Sequence, residues 1–167
     1  MRDGAGMNFL VTMLRRLVLI TAALAGAGLL TMMVVTSLDV LLRALGHPLR
    51  GAYDIVKMAA GVAIGCALPY TTAIKGHVAV EFFVQRMGRR GRVVADTMIR
   101  LITMALFSLF TWQLIVYGAR LKGSGEVSMT LRWPVFWVPW VMAFACGVAV
   151  LVTLYHLFHP GKTLLKP

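Results

Sequence analysis

Few residues in this 167-residue chain are able to do chemistry, and their positions limit what they do. The four histidines are His47, His77, His156 and His159. A b-type haem is commonly held by two histidines on facing helices. His47 and His77 lie in or beside loops, and His156 and His159 crowd one end of the last apolar run. No opposed pair arises, so neither haem nor any other cofactor is expected. Cys66 and Cys146 lie inside separate apolar runs and belong to no C-x-x-C motif. A thiol relay is therefore not expected, and both read as small packing residues. With no phosphate-cradling glycine loop either, no catalytic residue, metal ligand or enzymatic activity is expected.

The charged residues come in pairs. Asp39 and Arg43, His77 and Glu81, and Asp96 and Arg100 are each spaced by four, and Asp54 and Lys57 by three. Such spacing puts partners on one helix face. Two readings stay open: local neutralisation at a membrane boundary, or contact with another subunit. Arg43, Asp54, His77 and Glu81 are the candidate subunit-contact residues. No isolated acid sits in the middle of an apolar run, where a proton or sodium relay would need one.

The elements that carry these residues are apolar. Leu17–Leu38, Met58–Ile74, Leu101–Ala119 and Trp133–Tyr155 are free of Asp, Glu, Lys and Arg. At about 1.5 Å of rise per residue, runs of this size cross a hydrocarbon core roughly 30 Å thick. The second run is slightly short, and a snorkelling Lys57 extends it toward Tyr53. Mean hydropathy is +0.81, and 14% of residues are charged against about a quarter in soluble domains. The fold expected is an all-α integral membrane protein, a single domain over 1–167 with spans at about 17–41, 53–74, 99–119 and 133–157. Arg15 and Arg16 precede the first run as in a secretory signal. The charge-free stretch outlasts the ~7–15 residues of a signal core, so it reads as an uncleaved span. Gly61 and Gly65 form a small-xxx-small pattern suited to helix packing within the chain, and Trp112 reads as a packing residue.

The net charge of +11 does not point to nucleic acid, because the basic residues sit in short loops between spans. Of the 17 Lys and Arg, 11 fall in the N-terminal segment, the loop between spans two and three, and the C-terminal segment. The positive-inside rule then places both termini in the cytoplasm. Trp133, Trp137 and Trp140 fall at the outer end of span four, as an aromatic belt. In the central loop, Val80, Phe83, Val84 and Met87 share one helical face opposite Glu81, Gln85 and Gly88. The pattern suits a short amphipathic interfacial helix between helices two and three, or an extension of a neighbouring helix. Arg86, Arg89, Arg90 and Arg92 follow it as candidate contacts to anionic lipid headgroups.

Three segments carry a family resemblance. The first is Arg43-Ala-Leu-Gly46-His-Pro48-Leu-Arg-Gly51-Ala-Tyr53-Asp54-Ile55. The second is Ala67-Leu-Pro69-Tyr70 followed by Lys75-Gly76-His77-Val78-Ala-Val80-Glu81. The third is Glu126-Val-Ser128-Met-Thr130-Leu131-Arg-Trp133-Pro134. In order and spacing they resemble the small permease subunits (DctQ-like) of tripartite ATP-independent periplasmic (TRAP) transporters, over roughly Ser37 to His156. Many relatives have Glu at the Asp54 position and Asp at the Glu81 position. Each swap keeps the charge and changes the reach.

The resemblance implies a multi-pass protein of the bacterial inner membrane. Its partners would be a large multispan permease subunit and a periplasmic substrate-binding protein that delivers an organic acid for sodium-coupled uptake. The small subunit would support the large one. Two alternatives have other predicted companions: a membrane anchor of a redox complex, and a small subunit of another tripartite carboxylate carrier.

Overall fold

The computed structural model describes residues 3–74 and 89–158. They form four helices: α1 (Asp3–Ala44), α2 (Ala52–Ala73), α3 (Arg89–Ser124) and α4 (Trp137–Phe158). Each contains a stretch long and apolar enough to cross a membrane, at Val11–Ala44, Ala52–Ala73, Thr97–Ser124 and Trp137–Leu157. The expected all-α, four-span architecture is therefore present. The interfacial helix expected around 80–87 lies outside the described residues.

Helix bounds differ from the apolar runs for local reasons. α1 continues N-terminal to its apolar run, with Arg15 and Arg16 exposed on the helix. α3 likewise starts at Arg89, a full ten residues before the expected span, so the basic cluster of 89–92 opens a helix. Straight-chain residues such as Arg favour helix and bear water exposure, so a helix does not stop at the edge of the hydrocarbon. α4 starts later than the apolar run. Pro134 and its neighbours are extended, and Val127 bridges to Pro134 in an antiparallel contact.

α1 and α3 both stop on a glycine. Gly46 has φ +81° and Gly125 φ +64°, the left-handed conformation that glycine adopts without a Cβ clash. His47 N–H bonds the Leu42 carbonyl and Gly46 N–H that of Arg43. Glu126 N–H bonds the Leu121 carbonyl and Gly125 N–H that of Lys122. These are paired Schellman closures, which satisfy carbonyls that a helix end leaves open.

Among the described residues the helices pack in the order α1–α2–α4–α3. α1 touches α4 lightly and does not reach α3. The result is a layer one helix thick rather than a closed bundle. Buried clusters set the registry along it. Val18, Ala73, Val148 and Val152 meet at one end, and Ala25, Cys66 and Ala145 at mid-depth.

Small residues make the contacts close. A Cβ on Gly61 would lie 2.8 Å from Val138 Cγ1, and one on Gly65 would lie 2.7 Å from Met142 Cγ and 3.2 Å from its Cα. Gly28 of α1 approaches the Ala59 carbonyl and Ala63 of α2 in the same way, and Gly118 of α3 receives the Trp140 indole of α4. Apolar side chains gain little by leaving lipid for protein, so close backbone approach supplies the attraction between spans. The Gly61–Gly65 pattern is thus spent within the chain. Cys66 and Cys146 are buried free thiols in the same contact region.

Gly65→Ala is expected to lower the thermal unfolding midpoint in detergent, by the equivalent of about 1–3 kcal/mol, because α4 must shift to admit the methyl group. Gly26→Ala, where nothing lies within 4 Å, is expected to leave the midpoint unchanged. Equal midpoints for the two variants would mean that the α2–α4 contact does not limit stability.

Candidate functional site

The charged residues that the spans do carry gather at the two ends of the layer. At the end holding the α1–α2 and α3–α4 connections, two carboxylates organise the loops. Asp39, near the end of α1, accepts from Arg43 Nη2 at 2.7 Å and from the Leu49 backbone N–H at 3.1 Å. The first contact is the expected i,i+4 ion pair, with the Arg43 guanidinium mostly exposed. The second folds the 45–51 loop back against α1.

Asp54 does the same across elements. It sits in the first turn of α2, is 4% exposed, and accepts from the backbone N–H groups of Thr130 (2.8 Å) and Leu131 (3.0 Å). It does not pair with Lys57, as spacing alone suggested. Lys57 is exposed, while the carboxylate turns toward the α3–α4 loop. Two converging amides hold an ionised carboxylate better than one exposed ammonium, because charge-assisted bonds to fixed donors lose little entropy on forming.

The strapped loop is itself ordered by short bonds. Ser128 N–H donates to the Trp133 carbonyl at 2.8 Å, Arg132 N–H to the Ser128 carbonyl at 3.1 Å, and Trp133 N–H to Ser128 Oγ at 3.3 Å. Arg132 takes φ +53°, a left-handed turn held by this network. Leu131 packs on Gly51, where a Cβ would lie 2.6 Å from Leu131 Cγ. Lys122 at the end of α3 lies over the Phe136 and Trp140 rings, 5.8 and 5.4 Å from their centroids. The loop thereby displays Met129, 96% exposed, beside exposed Trp133.

At the opposite end, the Arg100 guanidinium donates to the backbone carbonyl of His156. That carbonyl belongs to the last described turn of α4, so an arginine from the neighbouring helix ties the two helices together at this end. Sequence spacing pointed Arg100 to Asp96 and gave no sign of this contact between helices.

Of the expected site residues, Arg43 and Asp54 lie at the same end of the layer, each beside or within a carboxylate-centred loop anchor. His77, Glu81 and Arg86 lie outside the described residues. Arg89, Arg90 and Arg92 fall in the opening turns of α3. Trp112, expected to pack, is instead 66% exposed on α3 and borders a shallow groove with Ser108, Thr111, Ile115, Gly147 and Val150. The reason is that among the described residues only α4 packs on α3, so most of the α3 surface is left uncovered by them.

The family model for the DctQ component of tripartite ATP-independent periplasmic transporters matches residues 32–162. The chain belongs to the DctQ family. It is the small membrane subunit of a TRAP transporter, a transport component and not one of the redox anchors considered from sequence. The matched region runs from the C-terminal third of α1 through α4, and so contains both carboxylate anchors. No curated protein and no solved structure matches the chain.

Removing the Asp54 strap should free the loop. A charge-assisted bond of about 1.5 kcal/mol, once lost, raises the open population of a segment about tenfold. Asp54→Ala is therefore expected to speed tryptic cleavage after Arg132 by at least that factor, with helical circular dichroism unchanged. Equal cleavage of variant and parent would show that the carboxylate does not hold the loop.

Proposed function

We propose that this chain is a fixed support for the large permease subunit of its transporter, during sodium-coupled uptake of an organic acid brought by a periplasmic binding protein. The observation that carries the reading is the placement of charge. Every Asp, Glu, Lys and Arg of the described spans lies near a span end, and Asp39 and Asp54 are occupied with holding loops. A translocating subunit needs polar groups within the membrane to accept its cargo. A bracing subunit needs rigid helices, tied loops and open faces on which a partner can pack. The one-helix-thick layer supplies such faces along α1 and α3.

The orientation follows from the basic residues. The N-terminal part of α1 and the start of α3 carry Arg15, Arg16, Arg89, Arg90, Arg92 and Arg100 at the end where Val18, Ala73 and Val152 meet. This end is cytoplasmic, both termini with it, and Arg86, Arg89, Arg90 and Arg92 meet anionic headgroups there. The Asp39 and Asp54 anchors then lie on the periplasmic side of the inner membrane.

Three experiments test the reading. A tagged chain extracted in mild detergent is expected to copurify with a larger multispan membrane protein, and sodium-dependent uptake of organic acids is expected to vanish when the chain is deleted. A lone subunit that catalyses uptake in liposomes would refute the supporting role. Met129→Cys, in a background where Cys66 and Cys146 are replaced by Ala, is expected to react with a membrane-impermeant maleimide added to spheroplasts. Labelling only after permeabilisation would invert the topology.

A further inference from the structure

We propose that the outward face of α3 is where a transmembrane helix of the large subunit seats, with a hydrogen-bonding side chain of that helix engaging the carboxamide of Gln113. The inference rests on the supporting role argued above and names the surface that performs it.

Gln113 is exposed on α3, and its carboxamide bonds to no described residue. It lies about 10 Å along the helix from Arg120 and about 20 Å from Arg100. Those two arginines are separated by about 30 Å of helix, the thickness of the hydrocarbon core. Gln113 therefore sits well inside the membrane, beyond the reach of a side chain that must rise to the headgroups. A carboxamide offers two N–H donors and an acceptor oxygen, and lipid tails satisfy none of them.

Several threonines of the spans solve this problem locally. Thr21, Thr31, Thr72, Thr111 and Thr153 each donate to a carbonyl three or four residues back on their own helix. The two open faces of the layer thus differ. At mid-depth on α1 the exposed polar residue, Thr31, is satisfied by Ala27, and its apolar neighbours Leu29, Leu30 and Met33 suit lipid. On α3, Gln113 shares its face with exposed Ile102, Leu106, Leu109 and Tyr117, an apolar stripe with one unsatisfied polar group near its centre. Only 6% of the α3 span is buried within the chain, the least of the four. Such a stripe fits a helix that brings its own polar group to the same depth, for which membrane helix pairs gain about 1 kcal/mol.

The test uses the complete complex. A photo-activated benzoyl-phenylalanine is placed at Leu109 on the α3 face or at Leu30 on α1, and Gln113→Leu is made separately. Leu109 is expected to crosslink to the large subunit and Leu30 to lipid. Gln113→Leu is expected to reduce the copurified large subunit about fivefold, the equivalent of one such bond, without changing the thermal midpoint of the isolated chain. Crosslinking from Leu30 and not Leu109, a Leu109 adduct to a second copy of this chain, or undiminished copurification of Gln113→Leu would each overturn the proposal. If the complex copurifies and neither position crosslinks, the α3 face is wrong while the supporting role stands. If no larger protein copurifies with the unaltered chain, the supporting role fails and this surface with it.

Discussion

The close approach of α2 to α4 is the contact on which the rest of the structure depends. In lipid there is no hydrophobic drive to bring two apolar helices together, so the attraction has to come from dispersion at short range. Gly61 and Gly65 remove the side chains that would hold the helices apart, and Val138 and Met142 fill the space. Around this seam lie Ala63, Cys66, Ala145, Cys146 and Ala149, all buried and all small. α1 and α3 are then added on either side, each through its own glycine, at Gly28 and Gly118. If the central pair separated, the layer would fall into two helix pairs, α1 with α2 and α3 with α4, because α1 touches α4 only lightly and does not reach α3 among the described residues.

This construction has a consequence for function. A closed bundle buries its polar features inside and presents uniform grease to lipid. A single layer has two broad faces and two edges, and much of its surface remains available to a partner. The chain holds its shape with few contacts, because its spans are short in polar groups and its loops are tied. That suits the supporting role proposed above.

Much of this was legible in the sequence. Charge-free runs marked the four spans, and the Gly61–Gly65 spacing marked a packing face without naming its partner helix, because both are local patterns. Asp39 and Arg43 pair as their spacing predicts. Asp54 does not, because its partners are backbone amides more than seventy residues away, and a backbone amide has no letter in a sequence. The third family-like segment, Glu126 to Pro134, contained those amides, so the resemblance pointed to the right loop without saying what held it. Trp112 was misread for a related reason. Whether an aromatic in a span faces protein or lipid depends on how many neighbours its helix has, and among the described residues α3 has one. The same gap hid the Arg100–His156 contact.

The two carboxylate anchors explain why a membrane subunit with so few acids keeps two of them at one end. At the boundary between lipid and water, loop amides are only partly hydrated, and each unsatisfied one costs free energy. Asp54 replaces water for two such groups at once, and Asp39 for a third while also neutralising Arg43. The loops therefore need not fluctuate in search of water, and they fix the ends of four helices relative to one another. With their acids so engaged, the exposed cations Arg50, Lys57, Arg120, Lys122 and Arg132 outnumber Glu126, the remaining exposed acid of those loops. The same bonds that make the loops rigid thus leave this end of the layer electropositive.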